Sequence, residues 1–252
     1  MLKDKNMKNI FEQKMKVGAS LTDTNIDLGL VQSLFVVQDS MCEFFKNIGC
    51  DGLTMIPACN SFLVVTKTKI KFFNNLQWLD EFVVRSEISS KSRVRLNLTT
   101  EVLSKDNVVV CLCNQEMCAV DATARTLRML NTTLVPDDLE ITKECEMAFE
   151  KLNCVVQEKD LIKTHRVDVT NLDFYKHTNN VEYVKLMIST LDLDFVSNNK
   201  IEEFEIHYIA ESRFGNELKI YRIIENDYVY FEIKHEEGLV VKAVLTYSKN
   251  DK

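Results

Sequence analysis

Proline and glycine are scarce in this chain of 252 residues: two prolines and six glycines, the latter scattered singly. Turns must therefore rest on Asn and Asp, which bond their own backbone two residues on. The missing glycine clusters also exclude nucleotide and dinucleotide loops, since no GxGxxG or GxxxxGK[ST] run occurs, and no GxSxG marks a serine hydrolase. No segment nears the roughly 18 consecutive apolar residues that a membrane helix needs. The first residues, MLKDKNMKNIFEQK, are too charged for a signal-peptide apolar region, which leads to an expected cytoplasmic location. Net charge is −7, so a nucleic-acid surface is not expected.

Eight cysteines are present, without a CxxC pair. Cys111, Cys113 and Cys118 lie in VVVCLCNQEMCAV, which reads as a buried strand of reduced thiols rather than a zinc site. Histidine is absent from the first half; all four lie from His165 onward. HEEGL has no second histidine and is not a HExxH site. His207 reads as an outward strand residue, His165 as the start of a strand, and His235 as the residue before a hairpin turn. No metal and no cofactor are expected.

What is present is a repeat. Thr24-Asn25-Ile26-Asp27 matches Thr170-Asn171-Leu172-Asp173 at an offset of 146 (173 − 27). Each tetrapeptide precedes a helical pattern. The first has apolar residues at Leu30, Leu34, Val37, Met41 and Phe44/Phe45, with Gly49 at the C-terminal cap position. The second has Val181, Val184, Ile188 and Leu191 on one face; Asn179 caps it, with Glu182 at the reciprocal position. Glu81–Val84 matches Glu217–Ile220 at an offset of 136, and the hairpins from Glu101 and Glu232 match at 131. The falling offset reads as loops shortened in the second copy.

Each copy thus reads as an α+β unit: a strand, a long helix, then three or four antiparallel strands that must wrap the helix to cover its apolar surface. The expectation is a tandem double hotdog with its helices back to back and its sheets joined. Residues 1–132 form the N-terminal unit, 133–162 the linker and 163–252 the C-terminal unit.

The stretch LDFYKHTNNVEYV, residues 172–184, places Asp173, Tyr175 and His177 at period 2, the spacing of one face of an extended segment, before the period changes to that of a helix. It resembles the D-x-N-x-H-x-N-N pattern in the C-terminal half of the fatty acyl-acyl carrier protein (ACP) thioesterases, plant and bacterial. Asp173, His177, Asn179 and Asn180 match in place; Tyr175 stands where the pattern has its first Asn. Glu211, near the end of the next strand, corresponds to the family's glutamate, and CAVDATARTLRM resembles the closing strand of its N-terminal half. The resemblance implies hydrolysis of acyl-ACP thioesters by Asp173, His177 and Glu211, with Tyr175, Asn179 and Asn180 in support.

Thioester hydrolysis needs an activated water or a carboxylate nucleophile, a donor for the oxyanion and a slot for the acyl chain. Two carboxylates, an imidazole and a helix N-terminus can supply the first two. Which carboxylate is base or nucleophile stays open. Taken singly, each of these residues is more often a cap, a turn or a solvated strand end; their joint placement carries the reading. The first copy, with Leu28-Gly29-Leu30-Val31 opposite Phe174-Tyr175-Lys176-His177, reads as a pocket wall. Trp78, Phe62 and Met187 are candidates for closing the slot. Lys67, Lys69 and Lys71, joined by Arg93, Arg95, Arg125 and Arg128, are a candidate basic patch for an acidic carrier protein; coenzyme A thioesters are equally compatible. A homodimer stays open. Two rivals are a hotdog β-hydroxyacyl thioester dehydratase or hydratase, and a non-catalytic acyl-thioester-binding module.

Overall fold

The computed structural model describes residues 10–141 and 143–250. Strand β1 (Ile10–Lys16) leads through a tight turn into helix α1 (Leu30–Asn47), then α2 (Gly52–Cys59), β2 (Ser61–Phe72), β3 (Glu81–Lys91), β4 (Arg95–Ser104), β5 (Val109–Asp121) and a two-residue strand β6 (Leu127–Arg128). After residues 133–157, which form no helix or strand among those described, the same order returns. It runs β7 (Leu161–Arg166), α3 (Asn180–Ile188), α4 (Leu193–Asn198), β8 (Asn199–Tyr208), β9 (Glu217–Ile224), β10 (Tyr228–His235) and β11 (Gly238–Lys249). All strands form one antiparallel sheet in the order β1-β3-β4-β5-β2-β8-β11-β10-β9-β7, with β6 on β5. The two copies join where β2 pairs with β8, and α1 packs against α3.

The sequence explains the helices. Leu30, Leu34, Val37, Phe44 and Phe45 are all buried along α1. Gly49 takes φ +73°, its amide donating to Lys46 O and that of Cys50 to Phe45 O, a Schellman stop that only a residue free to adopt left-handed backbone makes cheaply. In α3, Asn179 Oδ1 accepts from Val181 N, as expected of a cap. Glu182 does not complete a capping box: its carboxylate accepts from Asn171 Nδ2 and Lys185 Nζ, because the Asn179 amide is already bonded to Asn171 O.

The register of the repeat at the tight turn is 150, not 146. Asp23 Oδ1 accepts from the amides of Asn25 and Asp27, and Asp173 Oδ1 from those of Tyr175 and His177. Ile26 and Lys176 both take left-handed backbone, at φ +68° and +64°. Asp23 is therefore the counterpart of Asp173, and Asp27 stands in the place of His177. The shared tetrapeptide is a coincidence of letters, since the residue that closes the turn is fixed by which carboxylate reaches the second and fourth amides after it. The offset of 136 for β3 and β9 holds. In the hairpins, β4 and β10 keep 131, whereas β5 and β11 fall to 130, the first turn being one residue longer. The main shortening lies in a helix rather than in loops, since α1 has 18 residues and α3 nine.

The segment 143–157 crosses the outer face of the sheet at the junction. Lys69 Nζ donates to Ala148 O, Asn114 Nδ2 to Met147 O, Lys242 Nζ to Leu152 O, and Glu150 N to Glu205 Oε1. Leu152 and Val156 pack on Tyr221 and Tyr230. Lys69, at the centre of the β2–β8 pairing, is 6% exposed and ion-paired with Glu203 and Glu205 at 3.0 and 3.2 Å. Lys67 faces Glu116, and Arg95 and Arg128 face Glu116 and Asp121. The alternating lysines thus form no continuous basic surface: Lys67 and Lys69 meet acidic partners and the crossing segment, whereas Lys71 is exposed beside Phe73. His207 does lie on the outer face, held by Glu205 at 2.7 Å beneath Phe149. Cys111, Cys113 and Cys118 are buried free thiols. Among the described residues, no helix is long and apolar enough to cross a membrane.

Candidate active site

Residues 172–179 form a closed turn, not the extended segment that period 2 suggested. Asp173 N donates to His177 O and Lys176 N to Asp173 O, while the Asp173 carboxylate holds the amides of Tyr175 and His177 at 2.9 and 3.1 Å. Upstream, Asp168 caps the 3-10 turn Val169–Asn171. His165 lies inside β7 rather than at its start, its Nε2 2.8 Å from Asn171 Oδ1.

The turn docks on the segment after β8. Thr178 N donates to Ser212 O, and His177 bridges Arg213. Ser212 is fully buried; its Oγ lies 2.7 Å from Thr178 Oγ1 and 2.8 Å from Tyr183 Oη, which also accepts from Ser212 N. This buried hydroxyl network ties Glu211, three residues past the end of β8, to the start of α3. His177 Nε2 then stands 3.3 Å from Glu211 Oε2.

Glu211 also receives the Arg125 guanidinium, which comes from the other half of the molecule, at the turn between β5 and β6. Arg125 lies over the Phe62 ring, 5.1 Å from its centroid. Burial, with Arg125 and Arg213 adding to it against Asp173, holds the His177 pKa below its ordinary value. The imidazole is thus neutral near pH 7 and oriented by a carboxylate.

Tyr175 packs rather than binding a carboxylate. Its ring stacks on Phe62 at 5.4 Å and 24°, and its hydroxyl fills the space where Gly52, the first residue of α2, carries no side chain. Asn179 is the helix cap, and the amide of Asn180 meets no acceptor among the described residues, leaving a donor at the helix N-terminus. Of the candidates for closing the slot, Phe62 reaches this site. Trp78 is half exposed in the connection between β2 and β3, and Met187 lies in the core. Ser212, Thr178 and Tyr183 were not legible in the sequence as site residues; the only signal for Ser212 was its place beside Glu211.

The first half repeats the frame with other side chains. Asp23, Asn25 and Asp27 stand for Asp173, Tyr175 and His177, and Asn75 for Glu211; Asn75 Nδ2 donates to Asp27 Oδ2 at 3.0 Å. The Asn that the second copy lacks at 175 is present in the first at 25.

A neutral imidazole oriented by a carboxylate beside a helix N-terminal amide combines a base, its orienter and an oxyanion donor. A family model described as the acyl-ACP thioesterase C-terminal domain matches residues 155–251, the span that holds this whole set apart from Arg125 and Phe62.

Residues 155–251 are similar to the C-terminal domain of the acyl-ACP thioesterases.

No curated protein sequence matches the chain. Among solved structures, an acyl-ACP thioesterase from Bacteroides thetaiotaomicron superposes with a TM-score of 0.85 at 16% identity, covering 95% of this chain and 98% of that one. A 12:0-ACP thioesterase from Umbellularia californica gives 0.80 at 15% identity, covering 96% and 98%. The matched span and the unit before it therefore share the double-hotdog fold of these structures along nearly their whole length.

Proposed function

We propose that the chain hydrolyses fatty acyl-ACP thioesters to free fatty acid and carrier thiol, with Asp173, His177 and Glu211 as the acting groups. The observation that carries this reading is the 3.3 Å contact between His177 and Glu211 at the mouth of a capped helix, within the thioesterase domain. Glu211 accepts the Nε2 proton of His177, which leaves Nδ1 as the ring's acceptor. A water gives its proton to Nδ1 as its oxygen bonds to the thioester carbon. The Asn180 amide steadies the oxyanion. Collapse breaks the C–S bond, and the proton on His177 passes to the leaving thiolate, so no cofactor is needed.

The N-terminal unit, residues 1–132, supplies the wall and Arg125, while residues 163–252 supply the reacting groups. Lys176 and Arg213, both exposed and flanking His177, are where the phosphate of a pantetheine arm or an acidic carrier would approach. The dehydratase reading is less favoured, because the match is to a thioesterase domain. Thiol release from acyl-ACP and acyl-CoA substrates of graded length tests the proposal. Saturated acyl-ACP should be cleaved and hydration of an enoyl thioester should be absent; the reverse result would replace hydrolysis with hydratase chemistry.

A further inference from the structure

At the first-half turn, away from His177, lies a cavity of about 920 Å³. That is within the range of small-molecule pockets, about 300–1,000 Å³. The helix difference explains its origin. From the start of α1 at Leu30 to Asp51, the cap of α2, the chain advances 21 residues (51 − 30), whereas from Asn180 to Asp192, the cap of α4, it advances 12 (192 − 180). The nine missing residues correspond to roughly 13 Å of helix. In the first half those turns bring Phe44 and Phe45 under the sheet; in the second half the matching volume is left open.

The walls are apolar, with Val31, Phe72, Ile188, Leu191, Phe195 and Ile201. The polar end is Asp27, in the position of His177. Its Oδ2 takes the amide of Asn75, Oδ1 is buried, and the Gln77 side chain bears on the same carboxylate. Asp23 stands beside it, so a carboxylate ligand would meet two like charges.

We propose that this cavity is a second ligand site, distinct from the His177 cleft. It takes an unbranched aliphatic molecule of medium length with a hydrogen-bond-donating head, an alcohol or an amine. The head lies on Asp27 and the chain runs along α4. This inference does not rest on the thioesterase reading, since its readout is binding alone.

The test is calorimetric titration of the full chain with decanol, decylamine and decanoate at pH 8, followed in parallel by emission of Trp78, the only tryptophan. Trp78, in the connection between β2 and β3, donates its amide to Ile26 O of the turn that holds Asp27 and so reports on that turn. Decanol and decylamine should bind one to one, with decanoate at least tenfold weaker. Val31→Phe, which fills the cavity, should abolish binding, and Asp27→Asn should weaken decylamine at least tenfold. His177→Ala should leave binding unchanged. Absence of binding by the parent overturns the proposal, as does binding lost in His177→Ala or kept in Asp27→Asn. Decanoate binding as well as decanol overturns the choice of head group. Should Val31→Phe fail to fold, Asp27→Asn carries the test by itself.

Discussion

Arg125 and Glu211 belong to opposite copies of the repeat, yet their side chains pair directly, so the glutamate facing His177 is held from the other half. Arg125 also places positive charge beside the imidazole and so contributes to its lowered pKa, after burial. A base held below pH 6.5 should give a kcat/KM profile whose acid limb lies below that value, since activity needs neutral His177. Arg125→Gln removes the cation, so His177 binds its proton more readily and the limb should move to higher pH. An unmoved limb would show that burial alone sets the imidazole.

His177→Ala and Glu211→Ala should each lower thiol release at least 100-fold while thermal unfolding stays near the parent's. Asp173 separates differently, because its Oδ1 already closes the turn. Asp173→Asn keeps an oxygen for those amides and removes the charge; we expect at least a tenfold loss of kcat with an unchanged Tm. Asp173→Ala also loses the turn bonds, at about 1 kcal/mol. Near-parent activity in all of these variants would remove the site.

Ser212→Ala should cost about 1–3 kcal/mol, since it strips partners from the buried hydroxyls of Thr178 and Tyr183. Because this network only positions Glu211, kcat should fall with KM little changed. A rise in KM with kcat intact would instead place Ser212 in substrate binding.

Tyr175 stacks on Phe62 and occupies the space beside Gly52, so it sits between the two halves at the His177 turn. Tyr175→Asn, which installs the residue of the resembling pattern, should shift the preference in thiol-release assays toward longer acyl chains. Gly52→Ala should destabilise the parent by about 1–3 kcal/mol, because its methyl would overlap the phenol. In a Tyr175→Ala background the same change should be close to neutral. Equal penalties in both backgrounds would mean that the two residues do not contend for one space.

Lys69 is buried between Glu203 and Glu205 beneath the crossing segment. Lys69→Ala leaves two carboxylates without their cation and should cost about 3–5 kcal/mol by chemical denaturation. A loss below 1 kcal/mol would show that water reaches this pair.

The amino-acid sequence by itself determined the order of elements, the helix stop at Gly49, the cap at Asn179 and the restriction of imidazole to the second copy. These follow from local rules: apolar period, cap chemistry and which residue types are present. The register of the turn is not legible there, because residues 24–27 and 170–173 share letters while the reach of the Asp23 and Asp173 carboxylates to amides further on leaves no mark in the sequence. Only the tertiary structure decided that Lys69 lies beneath residues 143–157, that Arg125 meets Glu211, and that Tyr175 fills the space at Gly52. Each joins residues 79, 86 or 123 positions apart (148 − 69, 211 − 125 and 175 − 52). Such contacts arise only when β2 pairs with β8, and chain spacing carries no record of that pairing. The cavity at Asp27 has the same origin: a helix nine residues shorter shows as a change of offset, but whether the lost volume refills depends on what packs around it.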